Sequence, residues 1–244
     1  MIKEYLSKLD LRTKQDFFAA STAALEQGTR LFVVTANPET LMLAEKVPEM
    51  RDALLDPATV IVPDGIGVVR AAQSLDLPVY ERVPGVEIAE HLLSEANRLK
   101  SSVFLYGATE EVLSALKKRL AHEWPELILV GAKNGYDFDD DAVFSELADR
   151  SPDVVLVALG VPRQEILLHR HLSRLDKGVL VGVGGSFDVL SKTVRRAPRL
   201  FQKLGLEWLW RILRNPSRLK RFLASNLPFL AEVRRLKKEK KNEK

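Results

Sequence analysis

The sequence predicts an α/β fold: a parallel sheet with helices on both faces, Rossmann-like in its layering, followed by a helical, basic C-terminal appendage. Three observations carry this expectation. Short runs rich in Val, Ile and Leu alternate with stretches of helical periodicity, the pattern of parallel strands buried on both faces. With 46% hydrophobic and 29% charged residues in a chain of 244, there is material for one large core. Charge, finally, is divided unevenly. From Thr193 to Lys244 there are 16 Lys/Arg against 4 Asp/Glu, a net of +12, while the 192 residues before them carry a net of −8. The expected division is therefore an α/β domain over 1–192, which would hold any catalytic site, and a basic helical appendage over 193–244. A block of like charge usually meets phosphate, whether of nucleic acid, of an anionic membrane or of a phosphorylated substrate.

Taken in order, Leu31–Val34 is the first strand. It ends at Thr35-Ala36-Asn37-Pro38-Glu39, after which Leu41, Ala44 and Val47 suggest a helix. Val60–Val62 is a second strand, stopped by Pro63-Asp64-Gly65, with a helix from about Val68. Val103–Tyr106 ends at Gly107-Ala108-Thr109 and precedes a helix marked by Val112, Leu116 and Leu120. Leu127–Val130, Val154–Leu159 and Val179–Val183 complete the strands, with helices near Asp141–Ala148 and Gln164–His171 between them.

Several function classes drop out. No Cys occurs, which removes disulfides, thiolate zinc sites and a cysteine nucleophile together. No apolar run approaches the ~18 residues of a membrane span. The N-terminal MIKEYLSKLDLRTKQD is too charged for a secretory leader, so the expected compartment is the cytoplasm. The four His residues have no metal-site spacing, and no Gly-x-Gly-x-x-Gly fingerprint or Walker lysine pattern is present.

Ligands of parallel α/β sheets bind beyond the carboxyl ends of the strands. Polar and glycine residues cluster there in this sequence. Asp64 follows a strand directly and suits either a helix cap or a general base. Asn37, two residues past Thr35, can cap the next helix or orient a sugar hydroxyl. Gly184 and Gly185, in Gly182-Val183-Gly184-Gly185-Ser186, form a turn able to bring backbone N–H groups to a phosphate. Asp137-Phe138-Asp139 imitates a metal-holding Asp-x-Asp motif, yet it stands just before a helical pattern, where acidic residues act as caps.

Seven motifs in series give these residues a context: Thr35-x-Asn37-x-Glu39, Pro63-Asp64-Gly65, Glu81-Arg82-Val83-Pro84-Gly85, Gly160-Val161-Pro162-Arg163-Gln164-Glu165, Gly182 to Asp188, Arg196-Ala197-Pro198 and Gly205-Leu206-Glu207-Trp208. From about Leu31 to Phe222 the chain resembles the WecG/TagA/CpsF family of bacterial glycosyltransferases. The resemblance implies an inverting, metal-independent enzyme without a cofactor. It would move N-acetylmannosamine or its uronate from a UDP-sugar to an undecaprenyl-diphosphate-linked saccharide, in teichoic acid, capsule or common-antigen synthesis. It also implies Asp64 as catalytic base, Thr35 and Asn37 as its neighbours, Arg82 and Gln164 as substrate-binding residues, and arginines of the appendage at the active site.

Those arginines are expected to be Arg211, Arg214, Arg218 and Arg221. Their spacings of three, four and three put them on one helix face, bent where Asn215-Pro216 intervenes. With Leu209, Trp210, Ile212, Leu213, Leu219, Phe222 and Leu223 between them, the appendage suits an interfacial helix docked on an anionic membrane. The enzyme would then sit peripherally on the inner face of the bacterial plasma membrane. The same helix can instead pack on the body. Rival readings are a nucleic-acid-binding protein that grips phosphates with the tail, and a nucleotide-cofactor oxidoreductase. Few aromatics interleave the tail charges and no base-reading motif is visible, so nucleic acid is not the expected partner. Oligomeric state is left open, a homo-oligomer included.

Overall fold

The computed structural model describes residues 1–242. Six strands, β1 (Leu31–Ala36), β2 (Thr59–Pro63), β3 (Ser102–Gly107), β4 (Ile128–Lys133), β5 (Val154–Ala158) and β6 (Val179–Gly182), form one sheet in the order β2-β1-β6-β5-β3-β4. Every pairing is parallel. Each expected strand is present, shifted by at most three residues at an end.

The helices before β3 are α1 (Ile2–Ser7), α2 (Lys14–Gln27), α3 (Pro38–Ala44), α4 (Pro48–Leu55), α5 (Ile66–Ser74) and α6 (Gly85–Leu99). Those after it are α7 (Glu110–Glu123), α8 (Asp140–Arg150), α9 (Arg163–Arg170), α10 (Ser186–Leu190), α11 (Arg199–Lys203), α12 (Glu207–Arg214) and α13 (Arg218–Asn242). Alternate strand residues feed two apolar layers, as the two-residue period requires. Val33, Leu105, Leu156 and Val181 pack under α2, α6, α7 and α10. Phe32, Val34, Phe104 and Val155 pack under α1, α3, α4, α8 and α9 on the other face.

Local chemistry sets the helix starts. Thr13, Thr109 and Asp139 each accept a hydrogen bond from a backbone N–H in the first turn of α2, α7 and α8. Asn37 caps α3, with Pro38 at its first position. The helix expected through Val47 ends at Ala44, and a further helix, α4, follows it. Pro48 opens α4 and ends the preceding run, because its ring is tolerated in a first turn and not in a helix interior.

The N-terminus, to which the sequence assigned no role, extends the sheet edge. Leu9 bridges Ile61 in parallel, the Asp10 N–H donates to the Ile61 carbonyl (2.7 Å), and Ile2, Tyr5 and Leu6 are buried. At the other end, α13 returns to the body: Phe229, Val233 and Leu236 lie inside the core beside α1 and α3. The packed alternative for the tail therefore holds for the distal half of α13. Membrane docking is a proposal confined to α11, α12 and the start of α13.

The chain leaves β1 toward α3 and leaves the adjacent β6 toward α10, which belongs to the opposite layer. Two neighbouring strands whose connections diverge leave a crevice at their carboxyl ends. The candidate site lies there.

Candidate active site

Asp64 stands one residue beyond β2, where its N–H donates to the Ala36 carbonyl at the end of β1 (2.9 Å). Its carboxylate accepts from the Gly85 N–H. Withdrawal from water raises the Asp64 carboxyl above the usual aspartate range, nearby Arg211 and Arg82 pull it back, and Glu207 pushes it up again. A carboxylate of raised proton affinity among guanidinium groups can accept a proton from a hydroxyl.

Around it is a cavity of about 40 Å³, lined by Thr35, Asp64, Gly85, Ser186, Glu207 and Arg211 among others. Thr35 spends its hydroxyl proton on the Gly182 carbonyl (3.0 Å), tying β1 to β6, so its oxygen is left to accept. The Asn37 side-chain oxygen is committed to the α3 cap, through the Glu39 N–H (2.8 Å) and Thr40 N–H (3.1 Å). A sugar contact from Asn37 would come from its NH2 group.

Gln164 is buried behind the glycine turns. Its side-chain oxygen accepts from the Gly160 N–H (3.1 Å) and the Gly184 N–H (3.0 Å), and its amide donates to Glu165 (2.7 Å). It braces two strand-end loops. Gly184 has φ +49°, a backbone region that disfavours side chains, and its N–H is taken by Gln164, so it bends the chain and offers no donor to a phosphate. Gly185 lines the cavity.

The four tail arginines do not share one face. Asn215 to Ser217 separate α12 from α13, with the Asn215 side chain accepting from the Ser217 N–H (3.2 Å). Arg211 reaches the cavity wall. Arg221 pairs with Glu39, and Arg218 lies close enough to Arg211 and Arg221 for their repulsion to add to burial in lowering its proton affinity. Arg214 lies over the Trp210 ring (5.9 Å) instead. Arg82 donates to the Gln202 carbonyl and to Glu207, both at 3.2 Å. Arg211 and Arg82 thus act on a partly buried aspartate, with Arg218 close to Arg211, an arrangement suited to an anionic leaving group.

Over residues 5–243 the chain matches the glycosyl transferase WecG/TagA/CpsF family. It belongs to this family.

The glycosyltransferase is 39% identical over 203 residues to a Bacillus spizizenii protein, covering 83% of this chain and 79% of that one. It is 37% identical over 220 residues to a Bacillus subtilis protein (90% and 84%), and 34% over 221 residues to one from Staphylococcus aureus (91% and 86%). All three are N-acetylglucosaminyldiphosphoundecaprenol N-acetyl-beta-D-mannosaminyltransferases. The match extends well before Leu31, in keeping with the structural part played by α1.

In the Asp-x-Asp look-alike, each carboxylate of the glycosyltransferase has a protein partner. Asp137 accepts from Asn134 (2.8 Å), Asp139 caps α8 through the Ala142 N–H (2.9 Å), and Asp140 holds Arg163 (2.7 Å) and Tyr106. Among the described residues, no group of three or more His, Asp or Glu is placed to hold a metal ion.

Three residues carry roles that the sequence did not reveal. Glu207 and Arg196 stand inside two of the seven motifs without an assignment, though the four-residue step from Glu207 to Arg211 puts both on one helix face. Glu165 is the third. It is fully buried, and its second carboxylate oxygen has no partner. Burial pushes its carboxyl up to about 7, against the lowering effect of Gln164. A folded value above the unfolded one (about 4.3) stabilises the protein fully at low pH, and that stability is lost as pH rises through 7. Glu165→Gln, which mimics the protonated form, is expected to remove on the order of 3 kcal/mol of this pH dependence between pH 4 and pH 8. Urea unfolding at the two ends of that range measures it; a slope unchanged from wild type would contradict the assignment.

Proposed function

We propose that this chain transfers N-acetylmannosamine from UDP-N-acetylmannosamine to an N-acetylglucosaminyl-diphosphate-linked polyprenol, with inversion at the anomeric carbon. The observation that carries the reading is Asp64: a carboxylate at a strand end, of raised proton affinity, in a cavity it shares with Arg211. The activity of the relatives supplies the sugar and the acceptor class. In the proposed reaction Asp64 takes the proton of the acceptor hydroxyl as that oxygen bonds to the anomeric carbon. The bond from that carbon to the diphosphate oxygen breaks, and UDP leaves with the electron pair. Arg82 and Arg211, with Arg218 and Arg221 beside them, neutralise the charge that develops on the diphosphate.

Because the acidic residues at 137–140 are engaged as caps and ion-pair partners, the arginines do the work of the metal in Asp-x-Asp enzymes. Transfer is expected to continue in excess EDTA, measured as acceptor-dependent UDP release. Loss of turnover that Mn²⁺ or Mg²⁺ restores would overturn that part of the reading.

Access to a membrane-held acceptor is supported by the proximal tail. Among the described residues no helix is long and apolar enough to cross a membrane. Leu200, Leu204, Leu213, Leu219 and Leu223 are nonetheless exposed among the arginines of α11, α12 and α13. A surface of leucines and cations suits the interface of an anionic bilayer, where each Lys or Arg contributes about 1 kcal/mol. Changing Leu213, Leu219 and Leu223 together to Ser is expected to abolish flotation with phosphatidylglycerol vesicles while the fold persists. Unchanged flotation would remove these helices from the membrane contact.

A further inference from the structure

Glu207 is the first residue of α12 and is buried at the rim of the cavity. Its carboxylate lies 3.2 Å from Arg82 and 3.5 Å from Arg196. Arg196 also bonds Glu87 of α6 (2.6 Å), which in turn holds Lys14 of α2 (3.1 Å). Arg82 reaches further, to the Gln202 carbonyl in α11. One carboxylate therefore connects α12 to a chain of charges anchored on the body.

The apolar side of α12 gives it less hold there. Trp208 stacks on Phe222 of α13 (4.5 Å between ring centres) and Trp210 meets Phe201 of α11 (5.5 Å), so these rings bind the tail helices to one another. Arg211, one turn after Glu207 on the same helix, lines the cavity with it beside Asp64. Where Glu207 is held decides where Arg211 stands.

We propose that Glu207 is a positioning residue, an ionic latch that seats α12 on Arg82 and Arg196 and so places Arg211 beside Asp64; this rests on the transfer reaction proposed above. The cavity of about 40 Å³ is far below the roughly 300 Å³ at which small-molecule sites begin. In the proposed cycle α12 lifts to admit the nucleotide sugar. A diphosphate carries the same sign of charge as the Glu207 carboxylate and competes with it for Arg82, while Arg196, anchored on Glu87, keeps its hold on Glu207. Closure on the donor then returns Arg211 to the reacting centre.

Removing the latch gives two opposed kinetic effects. Without its competitor the donor binds more tightly, and without its seat Arg211 is misplaced, a displacement that costs up to about 10²-fold in rate. For full-length Glu207→Gln, assayed with UDP-N-acetylmannosamine and a short-chain lipid-linked N-acetylglucosamine, kcat is expected to fall by roughly 10- to 100-fold while the donor KM falls. Trypsin should also cut the variant faster than wild type at Arg211 and Arg214, read by fragment mass. A kcat near wild type, a raised donor KM, or an unchanged cleavage rate would each overturn the latch. If Glu207→Gln does not fold, Arg196→Gln removes the other arm of the same pair and must accelerate the same cleavages, or the proposal falls. Cleavage is read without turnover: a wild-type chain that transferred no sugar would refute the proposed reaction, and the proteolysis would still judge the latch.

Discussion

Replacing Asp64 by Asn is expected to lower sugar transfer by about 10²–10⁴-fold with the fold retained. The amide keeps an oxygen for the Gly85 N–H, which the carboxylate now engages, so the strand-end geometry survives and only proton acceptance is lost. The thermal midpoint should move by no more than a few degrees. The pH profile of the wild-type enzyme gives a companion observation. Burial raises the Asp64 carboxyl, so the acid side of kcat/KM should fall away at a pH above that of an ordinary aspartate, about 3.9. Near-normal turnover by a folded Asp64→Asn protein would leave the residue as a structural element at the end of β2.

Arg211→Ala is expected to cost about 10²–10³-fold in kcat, comparable to removing one donor from an oxyanion site. Two effects act in the same direction. The departing diphosphate loses a guanidinium at the cavity wall, and Asp64 loses the strongest of the charges that favour its ionised form. Arg211→Lys keeps the charge and loses the planar fork, so it should recover only part of the rate. Arg214→Ala is the internal comparison. Its guanidinium lies over Trp210 and not at the cavity, and its loss should change kcat by less than about threefold. Equal losses for Arg211→Ala and Arg214→Ala would show that the tail acts through total charge and not through one placed side chain.

The strands and their carboxyl-end residues were legible in the sequence because both follow from local rules. Buried parallel strands read as continuous β-branched runs, and the polar residues that end them fall on one edge by construction of the fold. Thr35, Asp64, Gly185 and the glycine turns were found on that edge. What a side chain's partner would be was not legible. Gln164, a substrate-binding residue by family resemblance, braces the Gly160 and Gly184 turns, which follow different strands. Glu165 ends one of the seven motifs with no role assigned to it, and only its burial makes it a titrating group near neutrality. The arginine stripe from 211 to 221 follows helical spacing in sequence, but the Asn215–Ser217 break rotates the later pair onto another helix. Arg211, Arg218 and Arg221 then come together through tertiary structure and Arg214 is left out. Phe229, Val233 and Leu236 recur at helical spacing, and packing of the tail on the body was an open alternative, but the contact with α3 and α1 is set by the path of the chain and not by that spacing.

The anomeric configuration of the product tests the central claim most directly. A single displacement, with Asp64 as base and UDP leaving from the opposite side, converts an α-linked donor into a β-linked product. Proton NMR of the disaccharide released from the lipid acceptor, after incubation with UDP-N-acetylmannosamine and the wild-type chain, should show the β anomer alone. An α-linked product would require either a covalent sugar intermediate or attack from the leaving-group side, and would contradict Asp64 as the base of a single displacement.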